Sequence, residues 1–495
     1  MPTIVNPMKR LSILLVLAGS LCLGALQAYG QLTINYDFTP NVTVTDNGQI
    51  TQTKTLGGLS GLSTFADVDV RLNLTTQNAG DPMFLGDMYS TLTFGSTLAG
   101  ETTRTAVLLN RPGRDNTNAL GSSLSSLNVT LDDSAVHTNV WATTSSTGTY
   151  NSDGRLGVDP HAAGVAFNNA DRNNTLTSLN GAHLPSNRVV LLVADTDPGG
   201  TATLTSWGLS VTGTAASSGT FTPGAGATLS DPGSGSVNNV GATLNVTGAD
   251  GGSLLMNFAG STTFSGGITG TAGITKTGAG TLTLSAAGTY TGNTTVNAGT
   301  LLVTNTTGSA TGTGNVTVNG SGTLLGGTGT ISGTVTLGNV TPGAVINPGP
   351  AGANGTAGSV GTLTTGALTL TGANTLHIDA SGTLTSNWDK LVANGVTLGA
   401  TSTLQLSIAS GLTFAFGSQY ILIDNTSLSA ISGTFAGIAE GGTYTFDGYQ
   451  FMASYLGGNG NDLVLTSVPE ASTWLGGTLA LGFVAFAQRR RLRRS

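Results

Sequence analysis

The chain has almost no charge. Only 8% of its 495 residues are Asp, Glu, Lys or Arg, against roughly 25% in an average globular protein. It has a single cysteine, Cys22, which lies in an N-terminal apolar run that reads as a removable leader. The mature protein then has no disulfide framework, thiolate metal site or cysteine nucleophile. Basic residues are scarcer still. Removing Lys9, Arg10 and the five arginines of the C-terminal tail from a total of 17 leaves 10. Between Arg188 and Arg489 only Lys276 and Lys390 occur. A nucleic-acid groove needs clustered Lys and Arg to neutralise phosphates, so nucleic-acid binding is excluded. No segment of residues 31–214 sustains a 3.6-residue apolar period, which leaves little room for helix there.

What is present is glycine, 75 residues of it, with Thr, Ser, Asn, Val and Leu in short alternations. The expected fold class is all-β: a jelly-roll-like sandwich, then a right-handed parallel β-helix, then a short C-terminal transmembrane helix. Four segments follow. Residues 1–30 have the basic, apolar and small-residue layout of a signal peptide, with Lys9-Arg10, Leu11 to Leu26 and Ala28-Tyr29-Gly30. Residues 31–214 hold short alternating strands, such as Ala66 to Leu74, Val189 to Ala194 and Thr203 to Val211, divided by turns such as Asp197-Pro198-Gly199-Gly200. That pattern predicts a β-sandwich. Residues 215–466 are repetitive, with runs such as GTLTLS, GTLLVTN and GTVTLGN. Each run puts apolar side chains on one face of a strand, and so many similar units predict a solenoid. At about 20 residues per coil it would hold about 12 coils, a rod of roughly 60 Å. Residues 467–495 join Val468-Pro469-Glu470 to an apolar run from Thr473 to Ala487 and an arginine-rich end with Arg489, Arg490 and Arg491.

Three resemblances attach to these segments. The tail resembles the PEP-CTERM sorting signal of Gram-negative bacteria. This implies recognition by an exosortase-type enzyme at Val468, Pro469 and Glu470, transient anchoring in the inner membrane, and arginines held in the cytoplasm. Ala471 and Ser472 depart from the commonest form of that signal. In the first module, Val68 to Phe94, Val129 to Asp133 and Val189 to Val211 resemble the P-domain of the proprotein convertases. Asn187-Arg188-Val189 stands where a Gly-x-Trp is usual, and no protease motifs accompany the module. The stretch Gly273 to Val303 resembles the autotransporter-associated β-strand repeat, with Lys276, Gly278, Gly280, Leu282, Leu284, Tyr290, Gly299 and Leu301 on its pattern. No membrane barrel follows it in this chain.

Within that repeat, Leu282, Leu284, Val296, Leu301 and Val303 are expected to fill the core and Lys276 to be a surface strand charge. Tyr290 is expected to cover a corner, with sugar stacking as the alternative. Trp207 is expected in the sandwich core. Asp87, Asp195 and Asp197 are candidate oxygen ligands for calcium, although turn capping explains them more simply. No other cofactor is implied. His137, His161 and His183 lack metal-ligand spacing. Asp132-Asp133, the adjacent acidic pair, reads as a surface turn. The acids of the repetitive part, Asp379, Asp389, Asp424, Glu440, Asp447 and Asp462, are scattered, whereas glycosidases set two carboxyl groups about 5–9.5 Å apart. The resulting expectation is an exported, non-enzymatic cell-surface or extracellular-matrix structural or adhesion protein, with extracellular polysaccharide as a possible partner. The alternative is a polysaccharide-active β-helix lyase or hydrolase.

Overall fold

Alternating residues become strands, which make up 49% of the chain, and the helical pieces among the described residues are 3-10 turns of three to five residues. A computed structural model describes residues 30–77, 83–95, 101–115, 117–118, 120–156, 169–224, 227–231, 233, 237–247, 253–349 and 360–468. The leader, His161, and the tail residues Pro469, Glu470, Arg489, Arg490 and Arg491 with the apolar run 473–487 lie outside them. No helix among the described residues is long and apolar enough to cross a membrane.

The first part is two sheets around one core, antiparallel except for the parallel pair Ser126–Leu131 and Thr147–Tyr150. In one, Leu62–Thr76 lies between Ala202–Ala215 and Ser126–Leu131, with Gln31–Phe38 on the far side of Ala202–Ala215. The other has four strands in the order Gln49–Thr55, Arg188–Asp195, Met88–Phe94 and Arg104–Asn110. Period-two alternation sends Val68, Val70, Leu72 and Leu74 inward with Leu92, Phe94, Leu191 and Val193, all buried. Trp207 is buried among them, 4.5 Å from the Phe38 ring.

The second part is a stack of parallel coils. Eight strands from Val237–Val240 to Thr403–Ile408 form one wall. A second wall runs from Ala227–Ser230 through Gly273–Lys276 and Thr294–Val296 to Val396–Leu398. Equivalent residues stack in register, as in Leu282↔Leu301↔Leu325 and Ile274↔Thr294↔Val316. Among the described residues the stack has eight coils instead of the expected dozen, and at about 4.8 Å per coil they span about 35 Å. The reason lies in the corners: Val316 is paired with Val335, but Val335 with Leu368, because loops of different length interrupt otherwise similar rungs.

Two ends of this stack need closing, since an open rung presents unpaired backbone N–H and C=O groups. At the first end the sandwich does it. Gln31–Phe38 pairs antiparallel with Ala202–Ala215 along one edge and antiparallel with Ala227–Ser230 along the other. Sandwich and stack therefore share one continuous 15-stranded sheet. The Asn35 side chain spans the seam, donating to Ser230 Oγ at 2.9 Å and accepting from Ser210 Oγ at 2.7 Å. At the other end the coils give way to an antiparallel meander, Gln419–Asn425, Asp462–Ser467, Tyr449–Gly457 and Thr443–Phe446. Trp388, Phe414, Tyr420 and Phe451 pack together beneath it. The solenoid expected through residue 466 thus ends earlier, because long alternations joined by the glycine turn at Gly458 and Gly460 favour a hairpin.

Candidate functional site

The best-defined repeat lies mid-stack, from the strand Gly273–Lys276 to the strand Thr300–Val303. Its apolar positions Ile274, Leu282, Leu284, Val296, Leu301 and Val303 are all buried. Lys276 is buried with them and is not a surface charge. Its position two residues after Ile274 puts it on the inward face, where register aligns it with Met256 and Val296. Its ammonium donates to the carbonyls of Gly278 and, at 3.0 Å, Ala298, which belong to two successive coils at one corner. Burial pulls its pKa down to about 8, and Asp231 opposes that shift. Asp231 does the complementary work nearer the sandwich, accepting from the amides of Ala259 and Gly260 at 3.0 and 2.6 Å. Tyr290 is wholly buried, with its hydroxyl 2.6 Å from Thr294 Oγ1, so no face is left to stack on a sugar. Gly278 is a close approach: a Cβ there would stand 2.0 Å from the carbonyl oxygen of Phe258 one coil back.

These stacked, glycine-cornered rungs have a counterpart among known families. Residues 274–303 match the passenger-associated-transport-repeat. This is an autotransporter-associated β-strand repeat, and it marks a β-repeat protein of the secreted or cell-surface kind. No curated protein and no solved structure matches the chain.

Outside the repeat, the structure sorts the acids differently from their order in the chain. Asp87 and Asp197 lie either side of Arg114, with Asp87 3.3 Å from its Nη1, and Asp197 also pairs with Arg111 at 3.1 Å. Guanidinium groups thus occupy the space a cation would need. Asp195 is buried and accepts from the Asp197 amide at 3.4 Å, and burial pushes it up to about 6. That donor set fits arginine, not calcium. A different group has the spacing for a hard cation: Asp67, Asp69 and Asp132 each place one carboxylate oxygen within 4.8 Å of the others. Asp67 and Asp69 share the outward face of Leu62–Thr76, and the pairing of Val70 with Leu131 brings Asp132 alongside. Burial, then the charges of Asp67 and Asp132, push Asp69 up to about 7. The Asp-x-Asp spacing on an alternating strand was visible in the sequence; the neighbour 63 positions on was not.

Asp133 is more than a surface turn. Its carboxylate is nearly buried, pairs with Arg172 at 3.1 Å and accepts from the amides of Ser152 and Leu176. His137 Nε2 lies 3.4 Å from Asp132, and His183 Nε2 lies 2.7 Å from Asn187 Oδ1.

In the stack two separated acids do meet. Asp389 Oδ2 accepts from the Asp379 amide at 2.9 Å and Oδ1 from the Gly361 amide at 2.7 Å. Burial pushes Asp389 up to about 7. His377 Nε2 lies 2.8 Å from Ser407 Oγ and 3.4 Å from Asp379. Both carboxyls are buried. The other acids mostly hold backbone as well: Asp447 accepts from Ile408 N at 2.7 Å, Asp462 from Asn425 N at 2.8 Å, and Glu440 from Tyr455 N and Ser454 Oγ. Asp424 pairs with Lys390 at 3.1 Å. A chain with few charges spends most of these on N–H groups left over at corners.

Proposed function

We propose that this is an exported, non-enzymatic structural or adhesion protein of the cell surface or extracellular matrix. In this reading the 1–30 leader is removed on export. The 467–495 tail is a PEP-CTERM-like signal, holds the inner membrane transiently through a short transmembrane helix, and is processed by an exosortase-type enzyme at Val468, Pro469 and Glu470. The first module is a P-domain-like jelly roll and the coils wind right-handed. The observation that carries the reading is the use of the stack's side chains: apolar residues, Lys276 and the carboxyl groups of Asp231 and Asp389 turn inward to hold coils, and Asp462 holds the closing meander. What faces outward is mainly Thr, Asn, Ser and Gly, a surface suited to hydrogen bonding with polysaccharide.

The competing reading, a polysaccharide lyase or hydrolase, gains one observation, the meeting of Asp379 and Asp389. Against it stands their burial, which keeps both carboxyls out of reach of a glycosidic oxygen, with Asp389 held by two backbone amides and Asp379 beside His377. Incubating the mature protein with extracellular polysaccharides separates the two: no new reducing ends are expected. Release that Asp389→Asn abolishes would replace the structural reading with the enzymatic one. Deleting 468–495 is expected to leave export intact and to abolish surface retention, and identical localisation of both forms would remove the sorting signal from the account.

A further inference from the structure

A pocket of about 400 Å³ opens at one end of the sandwich, lined by Phe84, Asp87, Arg114, Leu120, Asp197 and Pro198 among others. Its volume lies in the range of small-molecule sites. Its floor is polar and buried: the side chains of Asp87 and Arg114 are only 12% and 7% exposed. Its rim is apolar and open, with Phe84 at 38% and Leu120 at 78% exposed. Both belong to the small set of large apolar side chains that the described fold leaves in water, and they flank the same cavity.

From this combination we infer that the pocket is a subsite for a neutral sugar residue of a polysaccharide. The charges at the floor already satisfy one another, since Asp87 and Asp197 both engage Arg114 and Asp197 also engages Arg111. Asp46 acts on Asp87, and Asp87 on the neighbouring Asp195, so the excess charge here is negative and disfavours an anion. What remains is hydrogen-bond accepting capacity, since a carboxylate has about four lone-pair sites to offer. A pyranose presents the complement, alternating hydroxyl donors and acceptors around an edge with an apolar C–H face. Arg114 Nε is closed to water and so to a hydroxyl; the Asp197 side chain, 27% exposed, is the polar group within a sugar's reach. An acidic sugar would instead bring its charge against two carboxylates.

The walls are set before any ligand arrives. Trp141 Nε1 donates to the Arg114 carbonyl at 3.1 Å, fixing the backbone that carries the guanidinium. The loop bearing Leu120 is stitched by the Asn118 amide to the carbonyls of Gly113 and Gly121, both at 3.1 Å. Such preorganisation lowers the ordering cost of binding.

This inference rests on the adhesion reading, so its test separates the two. The full mature chain is titrated, with saturation-transfer NMR and calorimetry, against neutral tetrasaccharides of glucose, mannose, galactose and N-acetylglucosamine, and against tetragalacturonate and a glycine dipeptide. At least one neutral tetrasaccharide is expected to bind, and the exposed-rim substitutions Phe84→Ala and Leu120→Ser are each expected to weaken it about tenfold, with circular dichroism unchanged. Binding of tetragalacturonate or the dipeptide alone would overturn the neutral class. Neutral binding that neither substitution weakens would move the site elsewhere and leave polysaccharide adhesion standing. Absence of any saccharide binding, together with no retention on isolated extracellular matrix, would take both down.

Discussion

Single residues in this protein show what a charge is for when there are few of them. Lys276 lies at the inner surface of a corner, where two carbonyls from successive coils have no strand partner. Desolvation favours its neutral form, moving its pKa from 10.5 to about 8. The unfolded chain then binds more protons than the folded one between about pH 8 and 10.5, so this group makes stability rise with pH across that window. Lys276→Met should remove that rise: the difference in urea midpoint between wild type and variant is expected to grow in favour of wild type from pH 7.5 to pH 10. A difference that stays constant would mean the ammonium is hydrated after all. Asp69 works in the opposite sense. Its pKa is raised from 3.8 to about 7 by burial and by Asp67 and Asp132, so the folded state holds the extra proton. Its contribution is complete below about pH 4 and lost as pH rises through 7. Asp69→Asn, which cannot ionise, is expected to be more stable than wild type at pH 8 and to differ little from it at pH 4 in thermal midpoint. Equal midpoints at pH 8 would show that the three carboxyl groups do not repel one another there.

At the scale of one coil, stability comes from repeated close contact, and the corners are less tolerant than the rungs. Gly299 adopts φ +69° and a Cβ there would lie 2.4 Å from the Gly280 oxygen. Gly299→Ala therefore meets both a disfavoured backbone region and a neighbouring coil. It is expected to cost at least about 1–3 kcal/mol, more than Tyr290→Phe, which loses one buried hydrogen bond to Thr294 worth about 1 kcal/mol. Urea denaturation of the two variants checks the order, and a larger loss for Tyr290→Phe would reverse this view of where a coil is rigid. The same contrast explains what the sequence made legible. Alternation in stretches such as TLTL and TLLV was enough to assign rungs and their inward side chains, and the parity that places Ile274 inward also places Lys276 inward. That signal was overridden by the expectation that lysine seeks water. Coil number was not legible, because Gly, Thr and Asn make corners of any length without changing composition. Nor was the pairing of Asp67, Asp69 and Asp132, which depends on register between strands distant in the chain.

For the whole molecule, the decisive element is Gln31–Phe38, whose two edges belong to different parts of the fold. A stack of coils alone behaves as a series of neighbours, and its ends can fray independently. Here the first coil is a continuation of a sandwich sheet, and one hydrophobic core runs from Leu32 in the sandwich to Leu465 in the closing meander. Fraying from that end requires breaking the ladder to Ala202–Ala215 or the ladder to Ala227–Ser230. The sandwich and the adjoining coils should therefore unfold together. Trp207 in the sandwich and Trp388 near the far end report on the two regions, so variants in which Trp141, Trp474 and one or the other of these are replaced by Phe give separate fluorescence signals. Coincident urea transitions are expected at both. Asn35→Pro is the sharpest disturbance, since proline has no N–H to donate to a central strand and the substitution also removes the side chain bridging Ser210 and Ser230. It is expected to lower the Trp207 transition first and to separate it from the Trp388 transition, leaving a stack that melts from its uncovered end. If both transitions instead fell by the same amount, the coupling would have to run through the core along the whole stack and not through this one strand.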